Sequence, residues 1–156
     1  MTQEQKDLLI ADLCGRLPYG VKILHETWNY EWDQELSTLE KVTGIDERFI
    51  YTKVINDKGE EYTSDKHTIS LFDDKPYLFP LSSMTDEQEE EFNNLFYRCN
   101  ESAFIFNERF SYDRCSIKDI GFYPCYLQDW LIKNHFDYRG LIPMGLAIDA
   151  TGLNIY

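Results

Sequence analysis

The chain has 156 residues, of which 43% are hydrophobic, a length and composition that suit one folded domain with its own core. Its formal net charge is −13, from 28 acidic and 15 basic side chains. That charge disfavours nonspecific binding to DNA, RNA or an anionic membrane, because the mean field repels phosphate. It therefore predicts no direct nucleic-acid partner, and it leaves open a basic protein partner or mimicry of a nucleic acid.

The cysteines and the N-terminus indicate the cell compartment. Cys14, Cys99, Cys115 and Cys125 show no CxxC spacing, and the polar, charged N-terminus has no signal-peptide pattern. No apolar run approaches the roughly 20 residues that a transmembrane helix needs. We therefore expect reduced thiols in a cytoplasmic protein that does not associate with a membrane.

The first half of the chain predicts one helix followed by short strands. Thr2 and Gln5 have the spacing of a capping box, Leu9 and Leu13 lie one turn apart on an apolar face, and Gly15 predicts the end of the helix. The predicted elements are a helix at Gln3–Cys14 and strands at Val21–Trp28, Leu36–Ile45, Arg48–Ile55, Glu60–Thr63 and His67–Phe72. Such a series of short strands indicates a meander or a small SH3-like barrel.

A proline-bounded hinge separates the strand-rich half from the helical half. Pro76 and Pro80 fix two backbone angles around a short apolar run, which favours an extended segment. Thr85 follows as an N-cap, with Gln88 at the position that closes a capping box. The hinge therefore predicts a strand that leads into the start of a helix.

The second half predicts two helices and a closing hairpin. The predicted elements are helices at Asp86–Arg98 and Pro124–Asn134, a strand at Ala103–Phe110, and a hairpin that pairs Leu146–Ile148 with Leu153–Tyr156. Together with the first half they predict a single α+β domain over residues 1–156. Residues 1–84 contribute a helix and a short-strand meander, and residues 85–156 contribute helices with closing strands.

Motifs that carry chemistry are scarce. The sequence has no phosphate loop, no GxGxxG, no nucleophile elbow and no HExxH motif. His25, His67 and His135 are too dispersed to predict a metal site. Asp137 lies two residues after His135, but a histidine near the dipole at the C-terminal end of a helix is the simpler interpretation. The sequence therefore predicts no cofactor, no metal and no catalytic residue, and it argues against an enzyme.

Two groups of residues are candidates for binding. Aromatic side chains interleaved with acids favour a protein-binding surface. We predict Trp28, Tyr30, Trp32 and Tyr51 as its contact residues. An arginine beside aromatic rings favours a small anionic ligand such as a nucleotide. For that alternative we predict Arg48, Tyr138 and Arg139 as the ligand-binding residues.

Three segments carry a resemblance to known proteins. They are DLCGRLPYGVK at Asp12–Lys22, KPYLFPLSSMTDEQ at Lys75–Gln88 and WLIKNHFDYRGLIPMGLAID at Trp130–Asp149, and we call them the motif segments. Their order resembles a family of short uncharacterised proteins from gut Bacteroides and their phages and mobile elements. The resemblance implies a cytoplasmic, phage-associated accessory protein whose variable middle presents different surfaces on one scaffold. It implies no activity and no catalytic residue.

These observations predict a non-catalytic interaction protein of phage or mobile-element origin that binds or inhibits a host protein. The first alternative is a small-molecule binding protein, for instance one that binds a nucleotide signal. The second alternative is an acidic mimic of nucleic acid, which requires carboxylates spaced like phosphates on one face. A host or phage protein is thus the expected partner, with a small-molecule ligand as the alternative.

Overall fold

An antiparallel sheet and three helices make up the part of the chain that the computed structural model describes, residues 1–29, 33–46, 49–56, 58–63, 67–68, 74–103 and 125–156. The helices are α1 (Gln3–Arg16), α2 (Asp86–Ala103) and α3 (Cys125–Lys133). The strands are β1 (Lys22–Asn29), β2 (Gln34–Ile45), β3 (Phe49–Ile55), β4 (Glu61–Thr63), β5 (His67–Thr68), β6 (Lys75–Leu78) and β7 (Ile148–Asp149). The predicted α+β class is confirmed.

The strands follow the order β4-β3-β2-β1-β6-β7, and β5 also pairs with β3. Neighbouring strands are antiparallel except for β6 and β7, which run parallel. Within the described residues the sheet is open, because β4 and β7 lie at opposite ends of the order and do not pair with each other. The predicted meander is therefore correct for the first half, and the described strands do not close into an SH3-like barrel.

Helix α1 begins as predicted but ends later. The Thr2 side chain and the Gln5 side chain each bind the other residue's backbone N–H, which completes the capping box. The helix continues through Gly15 to Arg16, so the predicted stop at Gly15 is wrong. A Cβ at Gly15 would lie 3.4 Å from the Ile132 side chain, so this glycine lies where α1 passes close to α3. The αL conformation at Gly20, with φ of 70°, ends the following short 3₁₀ turn instead.

Two apolar clusters hold the layers together. The first packs α1 against the sheet and consists of the buried residues Leu9, Leu13, Val21, Ile23, Val42, Ile50, Leu78, Leu141, Leu146 and Ala147. The second packs α2 against α3 and consists of Phe92, Leu127, Trp130, Leu131 and Phe136. Each fully buried side chain of this size contributes about 1.5–3 kcal/mol relative to exposure. Leu9 and Leu13, predicted to lie on an apolar face of α1, are thus both buried in the first cluster.

Helix α2 begins as the hinge predicts. The Thr85 backbone N–H donates to Gln88 Oε1 at 3.0 Å, and the Gln88 backbone N–H donates to Thr85 Oγ1 at 3.3 Å. The helix runs on to Ala103, so the strand predicted to start there is wrong at that residue, and the rest of that strand, 104–110, lies outside the described residues. None of the described helices has the length and apolar character that crossing a bilayer requires.

The C-terminal segment differs from the predicted hairpin. Ile148 pairs with Tyr77, and Asp149 pairs with Leu78, so β7 adds to the free edge of β6 in parallel orientation. The backbone N–H of Ala150 extends this contact by donating to the Leu78 carbonyl at 2.8 Å. Residues 153–156 form no strand. The hairpin fails because β6 offers an unpaired edge that the sequence pattern did not reveal.

Candidate ligand-binding site

The three motif segments meet in the folded chain. The Phe79 backbone N–H donates to the His135 carbonyl at 2.9 Å, and the Asp137 N–H donates to the Phe79 carbonyl at 2.7 Å. These two bonds join the hinge to the loop after α3. Arg16, at the end of α1, donates to the Phe136 carbonyl at 2.8 Å and so joins the first segment to the third. One neighbourhood thus contains residues from all three segments.

A buried charge cluster fixes this neighbourhood. Arg16 is fully buried and makes a two-point contact with Asp12, with Nε to Oδ2 at 2.6 Å and an Nη to Oδ1 at 3.1 Å. The guanidinium also donates to the carbonyls of Ile132 and Phe136, on either side of His135. A buried charge is tolerated only when it is paired and hydrogen-bonded, and Arg16 satisfies both conditions. We call Asp12, Arg16 and their contacts the Arg16 cluster, and it positions the turn that carries His135.

Two predicted ligand-binding residues border the Arg16 cluster. The Tyr138 hydroxyl accepts hydrogen bonds from Gln128 Nε2 and from Arg139 Nε, both at 2.8 Å. Arg139 Nε also lies 3.4 Å from Asp12 Oδ1, and the guanidinium carbon lies 5.0 Å from the centre of the Tyr138 ring. The Arg139 side chain is 28% exposed. Tyr138 and Arg139, which are neighbours in sequence, therefore also contact each other, and their polar groups bind other parts of the same chain.

His135 adopts a backbone conformation that glycine usually takes. Its φ is 59°, and its N–H donates to the Ile132 carbonyl at 3.1 Å. The next residue, Phe136, donates to the Leu131 carbonyl at 2.9 Å, and the pair of bonds forms a Schellman motif at the end of α3. A left-handed non-glycine residue costs on the order of 1 kcal/mol, and such strain is often found at functional sites. His135 is also 6% exposed, so this strained position is enclosed.

Burial keeps the His135 imidazole neutral. Desolvation, followed by the charge of Arg16, lowers its pKa from 6.5 to about 4, although a hydrogen bond to the Tyr19 carbonyl acts in the opposite direction. Among the described residues, Nδ1 has no hydrogen-bond partner. A neutral imidazole has one acceptor nitrogen, and Nδ1 is that acceptor when Nε2 carries the proton. Within the described ranges His135 therefore presents a buried ring nitrogen without a hydrogen bond.

Three lysines face one another across the sheet. Lys22 of β1 lies directly opposite Lys41 of β2, and Lys41 lies directly opposite Lys53 of β3. Residues directly opposite in an antiparallel sheet project from the same face, and like charges placed there are destabilising. We call Lys22, Lys41 and Lys53 the lysine row. It concentrates positive charge in a chain whose net charge is −13.

A single carboxylate bridges part of the lysine row. Glu61 Oε1 lies 2.7 Å from Lys41 Nζ, and Oε2 lies 3.2 Å from Lys53 Nζ. These hydrogen bonds lower the pKa of Glu61. Lys22 Nζ donates instead to the Ile155 carbonyl, and desolvation followed by repulsion from Lys41 lowers the pKa of Lys22. The row therefore holds more positive charge than the neighbouring acid neutralises.

A cavity of about 680 Å³ lies between His135 and two members of the lysine row, Lys22 and Lys41. Among the residues that the structure describes, its charged lining consists of Lys22, Lys41, Lys133 and the acid Glu61. Aromatic and imidazole rings complete the lining, namely Tyr19, Phe79, His135 and Tyr156. The volume lies in the range of small-molecule sites. Such a cavity can hold an anion with its ammonium groups and stack a planar group on its rings.

Comparisons with protein-family models, curated proteins and solved structures find no match to this chain. The candidate site therefore depends on the geometry of the chain itself. Within the described ranges, no three His, Cys, Asp or Glu side chains are grouped as metal ligands would be.

Two of the four predicted partner-binding residues, Trp28 and Tyr51, lie in described strands. Trp28 lies in β1 opposite Glu35, whereas Tyr30, Trp32 and the predicted ligand-binding residue Arg48 lie outside the described residues. The hairpin formed by residues 26–29 and 34–37 has no third strand paired to it in the described part of the chain. We call this two-stranded segment the hairpin arm. The hairpin arm extends beyond the residues of β1 that pair with β6 and the residues of β2 that pair with β3.

The fourth predicted contact residue, Tyr51, is held within the sheet. Its hydroxyl donates to Asp46 Oδ2 at 2.7 Å, and this hydrogen bond raises the pKa of the phenol. Its ring packs beside Gly44, where an added Cβ would lie 3.5 Å away. Alternation along β3 places Tyr51 on the same face as Lys53. The structure therefore places Tyr51 beside the lysine row.

Sequence reasoning did not identify the residues that line the cavity as ligand-binding residues. Lys22, Lys41 and Lys133 are single lysines far apart in the sequence, and none belongs to a basic run. The register of β1 and β2 brings two of them together, and the end of α3 contributes the third. Aligning the predicted strands at their turns would have placed Lys22 near Lys41. The approach of Tyr156 to His135 has no local sequence signal.

Proposed function

We propose that this protein binds a small phosphate-bearing anion in the cavity between the lysine row and His135. The observation that carries the proposal is the in-register lysine row beside a ring-lined cavity. Among the described residues, the ammonium groups of Lys22, Lys41 and Lys133 and the carboxylate of Glu61 line the cavity, so these groups together attract a phosphate although the whole chain is acidic. This is the nucleotide-binding alternative predicted from the sequence, at a set of residues that the sequence did not indicate.

The repulsion between the facing lysines supports the proposal. Facing lysines on adjacent strands repel each other, and an opposing charged pair changes stability by roughly 0.2–1 kcal/mol. A bound anion removes this repulsion and gains a hydrogen bond from each ammonium group that it contacts. The lowered pKa of Lys22 is consistent with this repulsion, because burial and Lys41 are its two largest causes. An anion would raise that pKa again.

Titration calorimetry tests the proposal. We expect pyrophosphate, used as the probe, to bind the wild-type protein at low ionic strength and to bind Lys41→Gln at least about tenfold more weakly, since one charge-assisted hydrogen bond contributes about 1.5–3 kcal/mol. Lys6→Gln makes the same chemical change on α1, outside the cavity lining, and is the matched control.

The test compares the pyrophosphate affinities of Lys41→Gln and Lys6→Gln. Equal loss of affinity in Lys41→Gln and Lys6→Gln would show that pyrophosphate responds only to net charge. Absence of binding to the wild-type protein would also contradict the proposal. Native mass spectrometry of the gently purified protein complements the titration, because a retained ligand would add the mass of a nucleotide or a related phosphate.

A protein-binding role is the second candidate, and the hairpin arm favours it. A two-stranded segment without a third paired strand offers backbone N–H and C=O groups to a strand of a partner. In the context of the resemblance, we propose that such a partner is a host protein and that this chain acts in the cytoplasm as a phage- or mobile-element accessory protein. Net negative charge suits a basic partner surface.

Partner capture tests the second candidate. If these rings are interface anchors, the tagged Trp28→Ala and Trp32→Ala proteins should each recover about tenfold less of the partner than the tagged wild-type protein recovers. Lys41→Gln should leave recovery unchanged, since it alters the cavity and not the arm. Unchanged capture by both tryptophan variants, in protein shown to be folded by circular dichroism, would contradict this role for the arm.

A further inference from the structure

The Tyr156 side chain interrupts the pairing of two strands. Ile23 pairs with Pro76, and Leu24 pairs with Lys75, so the same register would next pair Lys22 with Tyr77. The Tyr156 hydroxyl lies between these two residues, where it accepts the Lys22 backbone N–H at 3.2 Å and donates to the Tyr77 carbonyl at 2.7 Å. The Tyr156 hydroxyl thus lies where the backbones of β1 and β6 would otherwise pair directly.

The surroundings of the Tyr156 ring suit any planar ring. It stacks on His135 with centroids 3.8 Å apart and planes 10° apart, and its centroid lies 5.8 Å from that of Phe79. Lys22 Nζ lies 5.5 Å from the ring centroid. We call this space, bounded by His135, Phe79, the Lys22 N–H and the Tyr77 carbonyl, the ring slot. It provides a stacking surface together with one hydrogen-bond donor and one acceptor for the edge of a ring.

The segment that carries Tyr156 is attached mainly through Tyr156 itself. Residues 151–154 are exposed, and Tyr156 is 40% exposed, although burial raises the pKa of its hydroxyl to about 12. The backbone bonds of Leu153 and Ile155 stay within residues 150–155. Beyond these, the Ile155 carbonyl accepts from Lys22 Nζ. The ring therefore leaves the slot when its two hydroxyl hydrogen bonds, its stacking on His135 and the Lys22 contact are exchanged for contacts with a ligand.

We infer that the ring slot receives the base of a nucleoside phosphate and that Tyr156 is an internal competitor for this position. The inference rests on the proposed function, because it places the phosphate of the same ligand at the lysine row. Lys22 connects the two parts, with its backbone N–H in the slot and its ammonium group in the row. A nucleobase edge carries donors and acceptors that match the Lys22 N–H and the Tyr77 carbonyl. His135 Nδ1 has no hydrogen-bond partner in the described part of the chain, and with the proton on Nε2 it can accept a hydrogen bond from a sugar hydroxyl.

Calorimetric titration with and without the ring tests the inference. The probes are the four common ribonucleoside 5′-monophosphates, the corresponding nucleosides, and pyrophosphate, which has no ring. Tyr156→Ala removes the ring that occupies the slot. At least one nucleotide and its nucleoside should therefore bind this variant about tenfold more tightly than wild type, because the ligand no longer has to displace Tyr156. Pyrophosphate has no ring to place in the slot, so its affinity should change less than the affinity for that nucleotide, and the ratio of the two changes is the readout.

A second variant keeps the test decisive if Tyr156→Ala fails to fold. Tyr156→Phe keeps the stacked ring and loses only the hydroxyl, so it should show a smaller gain in the same direction. If neither variant binds any nucleoside or nucleotide more tightly than wild type, the inference is overturned, whatever pyrophosphate does. If pyrophosphate binds no protein while nucleosides bind Tyr156→Ala more tightly, the proposed anion site fails and the ring slot stands.

Discussion

The Arg16 cluster and the lysine row are both charged, but they differ in how far their charges are paired within the chain. In the cluster, Arg16 is fully buried and meets a carboxylate and two carbonyls, so its donors are matched within the chain. In the row, Lys22, Lys41 and Lys53 stand opposite one another, and one carboxylate bridges two of them. The side chains of Lys41 and Lys53 are 36% and 43% exposed.

This difference separates a structural role from the binding role that we propose. Charges that are satisfied internally hold motif segments in place, and removing one partner leaves an uncompensated charge in the interior. Charges that repel each other at the border of a cavity contribute little to folding and can be satisfied by a ligand. Arg139 and Tyr138 border the first region, whereas the cavity belongs to the second.

Breaking the Arg16 cluster should have the largest effect. Arg16→Met leaves the buried Asp12 carboxylate with only the 3.4 Å contact of Arg139 and removes donors from the carbonyls of Ile132 and Phe136, so we expect a loss of about 3–5 kcal/mol in the free energy of unfolding. Urea denaturation followed by circular dichroism measures it. Arg139→Met is the control, and it should lose less than about 1 kcal/mol because its contact with Asp12 is partly exposed. Similar losses in both variants would contradict the assignment.

The His135 imidazole should make stability depend on pH. Its folded pKa of about 4 lies below the ordinary value of 6.5, so the unfolded chain binds the proton more readily between these values. The stabilisation is fully present above pH 6.5 and is lost as pH falls towards 4. Each pKa unit corresponds to about 1.4 kcal/mol, so the loss reaches about 3 kcal/mol.

The matched variant for this prediction is His135→Asn. Asparagine tolerates the left-handed conformation and does not titrate, so the difference between the two stability curves isolates the imidazole. Urea denaturation of both proteins at several pH values between 4 and 7 provides the curves. Parallel curves over this range would show that His135 does not titrate as its burial requires.

Altering the lysine row should have the smallest effect on stability. Lys41→Gln removes an attractive contact with Glu61 and also removes the repulsion from Lys22 and Lys53. Interaction energies between exposed charges are small, so the lost attraction and the lost repulsion nearly cancel. We expect the free energy of unfolding to change by less than about 0.5 kcal/mol, measured by the same denaturation. A loss above about 2 kcal/mol would place Lys41 with the structural charges and weaken the contrast between the two regions.

Local signals in the sequence predicted the helix starts well. Both capping boxes, at Thr2 and at Thr85, form with the expected partners, because they depend on residues only three positions apart. The end of α1 was predicted too early, since Gly15 also fits a helix interior where another helix approaches. Helix ends decided by tertiary contact are not visible in a local pattern.

The candidate site was harder to predict because it depends on register and on contacts between distant residues. The nucleotide alternative required basic groups and rings, and it selected Arg139 and Tyr138, which are adjacent in sequence. The cavity instead combines Lys22, Lys41 and Tyr156, which come together only when β1, β2 and the C-terminal segment are in place. A one-residue change of register would have moved these lysines to the other face.

Nuclear magnetic resonance mapping of pyrophosphate binding tests the central claim most directly. In a ¹⁵N-labelled protein at low ionic strength, we predict that the largest amide shifts occur at Lys22, Lys41 and His135, with small changes at Asp12 and Arg139. The same titration of Lys41→Gln should lose these shifts while its spectrum remains that of a folded protein. Shifts concentrated at Arg139, or spread over all exposed lysines, would contradict the account.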